Sequence, residues 1–141
     1  MERQKFCKML EIARGYSEKT TSTLSYDMRM PPQNIRRIER GLFNFRMDRC
    51  LNYLEHIGYS IFLEKDGEEV VIARYEDILA WFSNNRGKLS RPSLASDMGV
   101  DRSYIRLIES GQHKISVDLF LKLVEMFSYN LTLVPNEDDE Q

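Results

Sequence analysis

The stretch Ile35-Arg36-Arg37-Ile38-Glu39-Arg40-Gly41 returns in the second half of the chain as Ile105-Arg106-Leu107-Ile108-Glu109-Ser110-Gly111. With the constant shift that takes Ile35 to Ile105, and with no gap, residues 6–64 align with residues 76–134 at 13 identities in 59 pairs. Many of the other pairs exchange one apolar residue for another. A self-match of this length indicates that one structural unit is built twice. Two copies of a small helical unit suit a target that itself repeats, and duplex DNA is the commonest such target.

The composition is typical of a globular protein. The chain has 141 residues, of which 42% are apolar and 30% are charged. No apolar run approaches the length of a membrane span and no signal-peptide core follows Met1, so we expect a cytoplasmic protein. Cys7 and Cys50 have no metal-binding spacing, and reduced thiols fit that expectation.

The net charge of −2 conceals two basic patches. Residues 29–49 hold six arginines and two carboxylates, a net charge of +4. Residues 86–114 hold six arginines and lysines and three carboxylates, a net charge of +3. Acidic residues concentrate instead in residues 64–77 and in the tail from Glu137. One basic patch in each repeat indicates contact with phosphate, and a solvated face of mixed charge is the alternative interpretation.

Apolar spacing in the second copy predicts four helices followed by a strand. The first helix covers residues 75–85, and the helix that bears the repeated stretch covers residues 102–110. Gly99 suits the left-handed residue that ends the helix between them. Residues 129–134 alternate apolar and polar side chains, as a strand does. The short polar residues that suit the N-caps of the later helices are Ser90, Asp101 and Ser116.

The first copy follows the same plan. The stretch Thr20–Thr23 offers N-caps for a short helix, and Pro31-Pro32 suits the start of the next helix. Tyr59–Glu64 is the predicted strand. Asp66-Gly67 then predicts a two-residue hairpin turn, with Val70–Ala73 as the returning strand. The predicted organisation is unit 1 at residues 1–65, a hairpin connector at 66–74, unit 2 at 75–135 and an acidic tail at 136–141.

A short helix, a tight turn and a second helix with a polar outer face form the plan of a helix-turn-helix. Arginine donates two parallel hydrogen bonds to a phosphate or a guanine edge, and glutamine and asparagine suit adenine. We expect four buried isoleucines in the second helices: Ile35, Ile38, Ile105 and Ile108. The predicted DNA-binding residues are Arg36, Arg37, Arg102 and Arg106 in the groove, Gln33, Asn34 and Ser103 at bases, and Arg91 and Lys114 at phosphates. Glu39 and Glu109 are interpreted as structural carboxylates that accept hydrogen bonds from an arginine or from nearby N–H groups.

The run from Leu89 to Val100, followed by Ile105 to Gly111, resembles the phage-repressor-like Cro/Xre helix-turn-helix family. That family commonly shows Leu-Ser/Thr-Gln, Leu-Ala, Gly-Val and Ile-x-x-Ile/Trp-Glu-x-Gly in this order. Arg29 stands where the family usually has its turn glycine, and Thr21 and Arg91 stand where it often has a DNA-contacting glutamine. The residues of the first copy that match the pattern are Leu24, Asp27, Met28, Ile35, Ile38, Glu39 and Gly41.

The strand that ends each copy resembles the HipB-type antitoxins, a subset in which a C-terminal strand pairs across the dimer. That resemblance implies that Tyr59–Glu64 and Leu131–Val134 pair within one chain and join the units as a pseudo-dimer, with Val70–Ala73 as a third strand. The expected fold class is mainly α: two tandem lambda-repressor-like helix-turn-helix units joined by a β-hairpin, with a small β-sheet between them.

The expected function is that of a sequence-specific regulator of transcription that binds double-stranded DNA as a pseudo-dimeric monomer or as a homodimer. The alternative is an antitoxin-like module that covers a partner toxin, with DNA binding secondary or lost. The modest net charge and aromatic residues such as Phe43, Phe45 and Trp81 favour that alternative. We expect no enzyme activity, no cofactor and no metal, because the sequence has no catalytic motif, phosphate loop or metal-ligand spacing.

Overall fold

The computed structural model describes residues 1–87 and 91–137, without the side chains of Arg91 and Pro92. In these ranges the chain is mainly helical, with one small antiparallel sheet, as the sequence predicts. None of the described helices combines the length and apolar character that crossing a bilayer requires. The elements in chain order are α1 (Arg3–Tyr16), α2 (Thr21–Met28), α3 (Pro32–Arg40), α4 (Met47–Ile57), β1 (Tyr59–Lys65), β2 (Glu68–Ile72), α5 (Tyr75–Arg86), α6 (Arg91–Met98), α7 (Arg102–Glu109), α8 (Val117–Met126) and β3 (Asn130–Pro135).

Most of the predicted helix starts are confirmed. The Thr20 hydroxyl accepts a hydrogen bond from the Thr23 N–H at 3.0 Å, and the Ser116 hydroxyl accepts one from the Leu119 N–H at 3.2 Å. Pro32 occupies the first turn of α3. Asp101 takes the N-cap position of α7, as predicted, but its side chain accepts no capping hydrogen bond. The prediction is therefore right about the position and wrong about the hydrogen bond. The predicted N-cap Ser90 lies outside the described residues.

The sequence repeat is visible in the backbone of two turns. Gly99, after α6, has φ +73°, and its counterpart Arg29, after α2, has φ +56°. Gly58, after α4, has φ +78°, and its counterpart Ser128, after α8, has φ +65°. The left-handed conformation costs an L-residue roughly 1 kcal/mol. Both halves therefore turn at the same places, even where only one half has the glycine that tolerates the turn.

The three strands form a sheet in the order β2-β1-β3. Phe62 pairs with Thr132 at the centre of the antiparallel β1–β3 ladder, which confirms the predicted pairing of the two strands within one chain. The third strand is also confirmed, although it begins earlier than the predicted Val70. Asp66 and Gly67 both have positive φ, as a two-residue hairpin requires.

The two halves of the chain meet through repeat-equivalent residues at two places. In the sheet, Phe62 faces Thr132, which is its own counterpart in the repeat. A second contact joins Arg46 and Ser116, again a pair of counterparts, in an isolated antiparallel bridge. There the Met47 N–H donates to the Ile115 oxygen and the Val117 N–H donates to the Phe45 oxygen, both at 2.8 Å. Such reciprocal exchange is the signature of a twofold axis, so a pseudo-twofold axis passes through the sheet and through this bridge, which we call the axial bridge.

One hydrophobic core joins the halves. The first helix of each half packs against the last helix of the other, α1 against α8 and α5 against α4. Trp81 of α5 lies with its ring centroid 5.3–5.6 Å from those of three aromatic residues, Phe120, Phe127 and Tyr129. The helices that bear the repeated stretch are held at the periphery of this core, each with one face outside.

Candidate nucleic-acid interface

The inner faces of α3 and α7 are built as the sequence predicts. The four isoleucines are at most 1% exposed, and through them each helix packs against its own half of the core. Residues three apart on a helix share a face, so the residues between them are directed outward. Burial of the isoleucines therefore fixes which side of each helix solvent or a ligand can reach.

The predicted outward residues are exposed, with one exception. Asn34 is half-buried. The side chain of Arg91 lies outside the described part of the chain. The exposed members of the predicted set are Gln33, Arg36, Arg37, Arg102, Ser103, Arg106 and Lys114. Their exposure makes contact with DNA possible, and the contact itself stays a prediction.

The exposed cations differ in how firmly they are held. The Arg37 guanidinium carbon lies 4.9 Å from the centroid of the Phe43 ring, and the Lys114 Nζ lies 4.6 Å from that of Tyr75. These ring contacts restrict the two side chains without neutralising them. No ion pair or hydrogen bond within the described residues holds the three remaining side chains, Arg36, Arg102 and Arg106. These three are available to an anionic ligand.

Glu39, at the inner end of α3, is a structural carboxylate, as predicted. It is 6% exposed and accepts hydrogen bonds from Arg14 Nε at 2.5 Å and Arg14 Nη2 at 3.1 Å. The Tyr53 hydroxyl donates to the same carboxylate at 2.5 Å. Burial, and then the hydrogen bond to Glu39, raise the pKa of Tyr53, while the hydrogen bond to Glu39 raises the pKa of Arg14. The acid is thus enclosed by its partners and is not part of the outer surface.

The comparison with known protein families finds a similarity in the second half of the chain. A family model for the helix-turn-helix matches residues 85–134. This match confirms the resemblance of the second copy and indicates a DNA-binding regulator of transcription. Neither a curated protein nor a solved structure matches the chain. Within the matched residues, α6 and α7 are the two helices of the helix-turn-helix, and Gly99 begins the turn between them.

The basic patch of this helix-turn-helix is weaker than its sequence suggests. Arg86, which counts toward the patch, is directed inward, and its Nε lies 2.7 Å from Glu109 Oε2. Glu109 thus forms an ion pair with an arginine, as Glu39 does, but the Arg86 Nε makes no hydrogen bond, whereas Arg14 donates two hydrogen bonds to Glu39. The ungapped alignment does not pair the two arginines, because it places Arg14 on Asn84 and Tyr16 on Arg86. Because of this two-residue offset, the alignment does not reveal that Arg14 and Arg86 each contact the equivalent glutamate.

The two cysteines offer no reactive group to a ligand. Cys7 and Cys50 are buried, and burial raises the pKa of the Cys7 thiol to about 11 and that of Cys50 further. A thiol is nucleophilic only as its thiolate, so both stay protonated at neutral pH. The described residues also contain no group of three or more potential metal ligands.

Proposed function

We propose that this chain is a sequence-specific regulator of transcription that binds duplex DNA with two helix-turn-helix units, α2–α3 and α6–α7. The observation that carries the proposal is the pair of equivalent cationic helices, α3 and α7, related by the pseudo-twofold axis. Each helix buries its isoleucines and exposes an arginine at the same repeat position, Arg36 or Arg106. The family match to residues 85–134 supports the role of the second unit.

Binding would place α3 and α7 in successive major grooves on one face of the duplex. Twofold-related recognition helices serve half-sites about 34 Å apart, which is one turn of B-DNA. Arg36 and Arg106 would then donate to guanine edges, and Gln33 and Asn34 to adenine. Arg91 and Lys114 would hold phosphates, which position the protein without reading sequence.

The operator would have two unlike half-sites. Outward positions that are equivalent in the repeat carry different residues: Gln33 corresponds to Ser103, and Arg37 to Leu107. A glutamine amide and a serine hydroxyl offer different donor and acceptor patterns to a base edge. The chain would therefore bind a non-palindromic site in one orientation.

A salt titration with mixed-sequence duplex separates DNA binding from the antitoxin-like alternative. Phosphate contacts release counterions, so the association constant should fall steeply and log-linearly with salt. Absence of binding at low salt would reject the proposed function and leave a protein partner as the remaining hypothesis.

The variant Arg106→Ala tests whether the outer face of α7 contacts bases. If Arg106 donates two hydrogen bonds to a base, its removal should weaken binding to an operator selected from random DNA by about 1–3 kcal/mol. Arg36→Ala should have a similar effect through the other half-site. Arg74→Ala is the matched control, because Arg74 is an exposed arginine in the connector and belongs to neither helix. Equal affinities of all three variants and the wild type in a gel-shift assay would show that this face does not read DNA.

A further inference from the structure

The two outer edges of the sheet differ in how they are protected. On one side, β2 carries Glu68 and Glu69, and charges of this kind hinder the addition of a further strand. On the other side, β3 has the sequence Asn-Leu-Thr-Leu-Val-Pro, in which no residue is charged. Within the described residues, no strand pairs with the outer edge of β3. The sheet therefore ends there in an uncharged edge, which is a template for pairing.

The register of the sheet shows which backbone groups this edge offers. The Asn136 N–H donates to the Gly58 oxygen at 2.8 Å, so these two residues form a hydrogen-bonded pair that continues the β1–β3 ladder. Hydrogen-bonded pairs alternate along an antiparallel ladder, so the even-numbered residues of β3 bond to β1. Leu131 and Leu133 therefore direct their N–H and C=O groups to the outer edge. No acceptor among the described residues binds these two N–H groups.

The first half of the chain shows what such an edge holds. Strand β2 pairs antiparallel with β1 and places Ile72, which is 0% exposed, beside Ile61. The counterpart of Ile61 in the repeat is Leu131. A cavity of about 220 Å³ is lined by Leu131 together with Leu121 and Val124 of α8. The pseudo-twofold relation therefore favours an aliphatic side chain at this place, carried on a strand antiparallel to β3.

Strand β3 of a second copy has the residues that this place requires. When two β3 strands pair antiparallel with Thr132 opposite Thr132, Leu131 of each strand lies opposite Leu133 of the other. This register puts a leucine at the position that Ile72 takes beside β1. Each Leu131–Leu133 pair then exchanges two main-chain hydrogen bonds. Pro135 has no N–H and ends the pairing beyond them.

We propose that two copies of this chain associate through the outer edges of their β3 strands and join their three-stranded sheets into one continuous sheet. The pairing of β1 with β3, which joins the halves within one chain, stays intact because it uses the opposite edge of β3. A twofold axis between the copies gives both the same contacts. The inference goes beyond the proposed function and does not depend on it. Under that function, the assembly would carry two pairs of cationic helices and would hold two operators at once.

Disulfide crosslinking of the full chain tests both the edge and its register. Thr132 is exposed and would face its own copy in a non-hydrogen-bonded pair, with Cβ atoms about 4.5–5.5 Å apart. Thr132→Cys should therefore give a covalent dimer on mild oxidation, whereas the native Cys7 and Cys50 are buried and should not react. Val71→Cys is the matched control, because Val71 is an exposed residue on the opposite edge strand, β2. Asn130→Cys controls the register, because its two copies would lie roughly 13 Å apart along the strands, beyond the reach of a disulfide.

The reversible association is measured by sedimentation equilibrium. The wild type should form a dimer in a concentration-dependent manner. Thr132→Lys should weaken this dimer by at least about tenfold, because two ammonium groups would face each other across the axis. Val71→Lys should leave its dissociation constant unchanged. Amide hydrogen exchange at Leu131 and Leu133 should become slower as the protein concentration rises, because their N–H groups gain acceptors.

Three results would overturn the proposal. The first is a wild type that stays monomeric at every concentration. The second is a dimer that Thr132→Lys and Val71→Lys weaken equally, and the third is crosslinking through Val71→Cys or Asn130→Cys as efficient as that through Thr132→Cys. No step uses DNA, so a failure here leaves the proposed function standing, and a failure of DNA binding leaves the dimer standing.

Discussion

Glu39 and Glu109 occupy equivalent positions at the ends of α3 and α7, and an arginine contacts each of them. The two glutamates differ in how deeply they are buried. The side chain of Glu39 is 4% exposed and its carboxylate also accepts a hydrogen bond from Tyr53, whereas the side chain of Glu109 is 25% exposed. The position corresponding to Tyr53 in the second half is Leu123, which has no hydroxyl group. The same residue at the same repeat position thus differs between the two halves in its burial and in its hydrogen bonds.

Glu39→Ala should therefore destabilise the protein more than Glu109→Ala. Loss of Glu39 removes the carboxylate from Arg14 and from the buried Tyr53 hydroxyl and leaves each with only a backbone oxygen, that of Lys19 or of Leu10, at a cost of about 3 kcal/mol in the free energy of unfolding. For the more exposed Glu109 pair we expect roughly 1 kcal/mol. Urea denaturation measures both values, with Glu11→Ala as the control, because its pair with Lys8 is exposed. Equal losses for Glu39 and Glu109 would contradict the importance of burial.

For individual residues, the sequence predicts which side chains lie on the outer surface better than it predicts which side chains hold the glutamates beneath that surface. Alternating isoleucines and arginines in the repeated stretch are sufficient to predict which residues are buried and which are exposed. Arg14 and Arg86 are not predictable in the same way, because arginine on a helix is most often solvated and their two-residue offset hides their equivalence. The inward direction of Arg86 becomes evident only from its contact with Glu109.

The junctions between elements are shaped by close approach as well as by backbone conformation. Gly41 ends α3 with φ +64°, and a Cβ there would lie 3.0 Å from Gln4 Cα and 3.3 Å from the Arg3 oxygen. Gly111 ends the equivalent turn with φ +80°, but a Cβ there would meet no atom within 4 Å. In the first half, α1 thus packs directly against the end of the cationic helix.

We expect Gly41→Ala to be more destabilising than Gly111→Ala. Positive φ costs an alanine roughly 1 kcal/mol at either position. At Gly41 the new methyl group must also displace the backbone of α1, and overpacking of this kind adds about 1–3 kcal/mol. The midpoints of thermal or urea unfolding provide the comparison. Similar losses for the two variants would show that α1 can move away from Gly41 at little cost.

The sequence predicts a helix or strand well when the residues that begin or end it act on their near neighbours in the chain. Thr20, Pro32, Ser116 and the Asp66-Gly67 turn each act within a few residues, and the structure has a boundary at each of them. Asp101 shows the limit of such signals, since a residue in the N-cap position need not make the capping bond. The presence of two helix-turn-helix units stays a prediction.

For the whole molecule, the halves are bound to each other at the sheet, at the axial bridge and through the exchanged packing of α1 and α5. The pairing of β1 with β3 is an expectation that comes from the resemblance of both strands to the C-terminal strand of HipB-type antitoxins, and the structure has this pairing. The axial bridge is not predictable, because one isolated pair between Arg46 and Ser116 leaves no periodic trace in the sequence. Long-range contacts of this kind depend on how the two halves fit together.

The shared core should make the chain unfold as one cooperative unit. Leu10→Ala removes a fully buried side chain from the first half and should lower the free energy of unfolding by about 2–5 kcal/mol. Trp81, the single tryptophan, lies in the second half and is 2% exposed. Its fluorescence transition should shift with the circular dichroism transition in the variant. A fluorescence transition that stays at the wild-type midpoint would show that the second half unfolds on its own.

The β1–β2 hairpin leads the chain from the first half into the second, so the partner of each half is present at a fixed stoichiometry. A regulator assembled from separate subunits loses its second DNA-binding unit when its concentration falls below the dissociation constant of the dimer. Under the proposed function, the second encounter with DNA would be intramolecular, with an effective concentration set by the fold. Under the proposed function, a single molecule in a cell would suffice to occupy both halves of its operator.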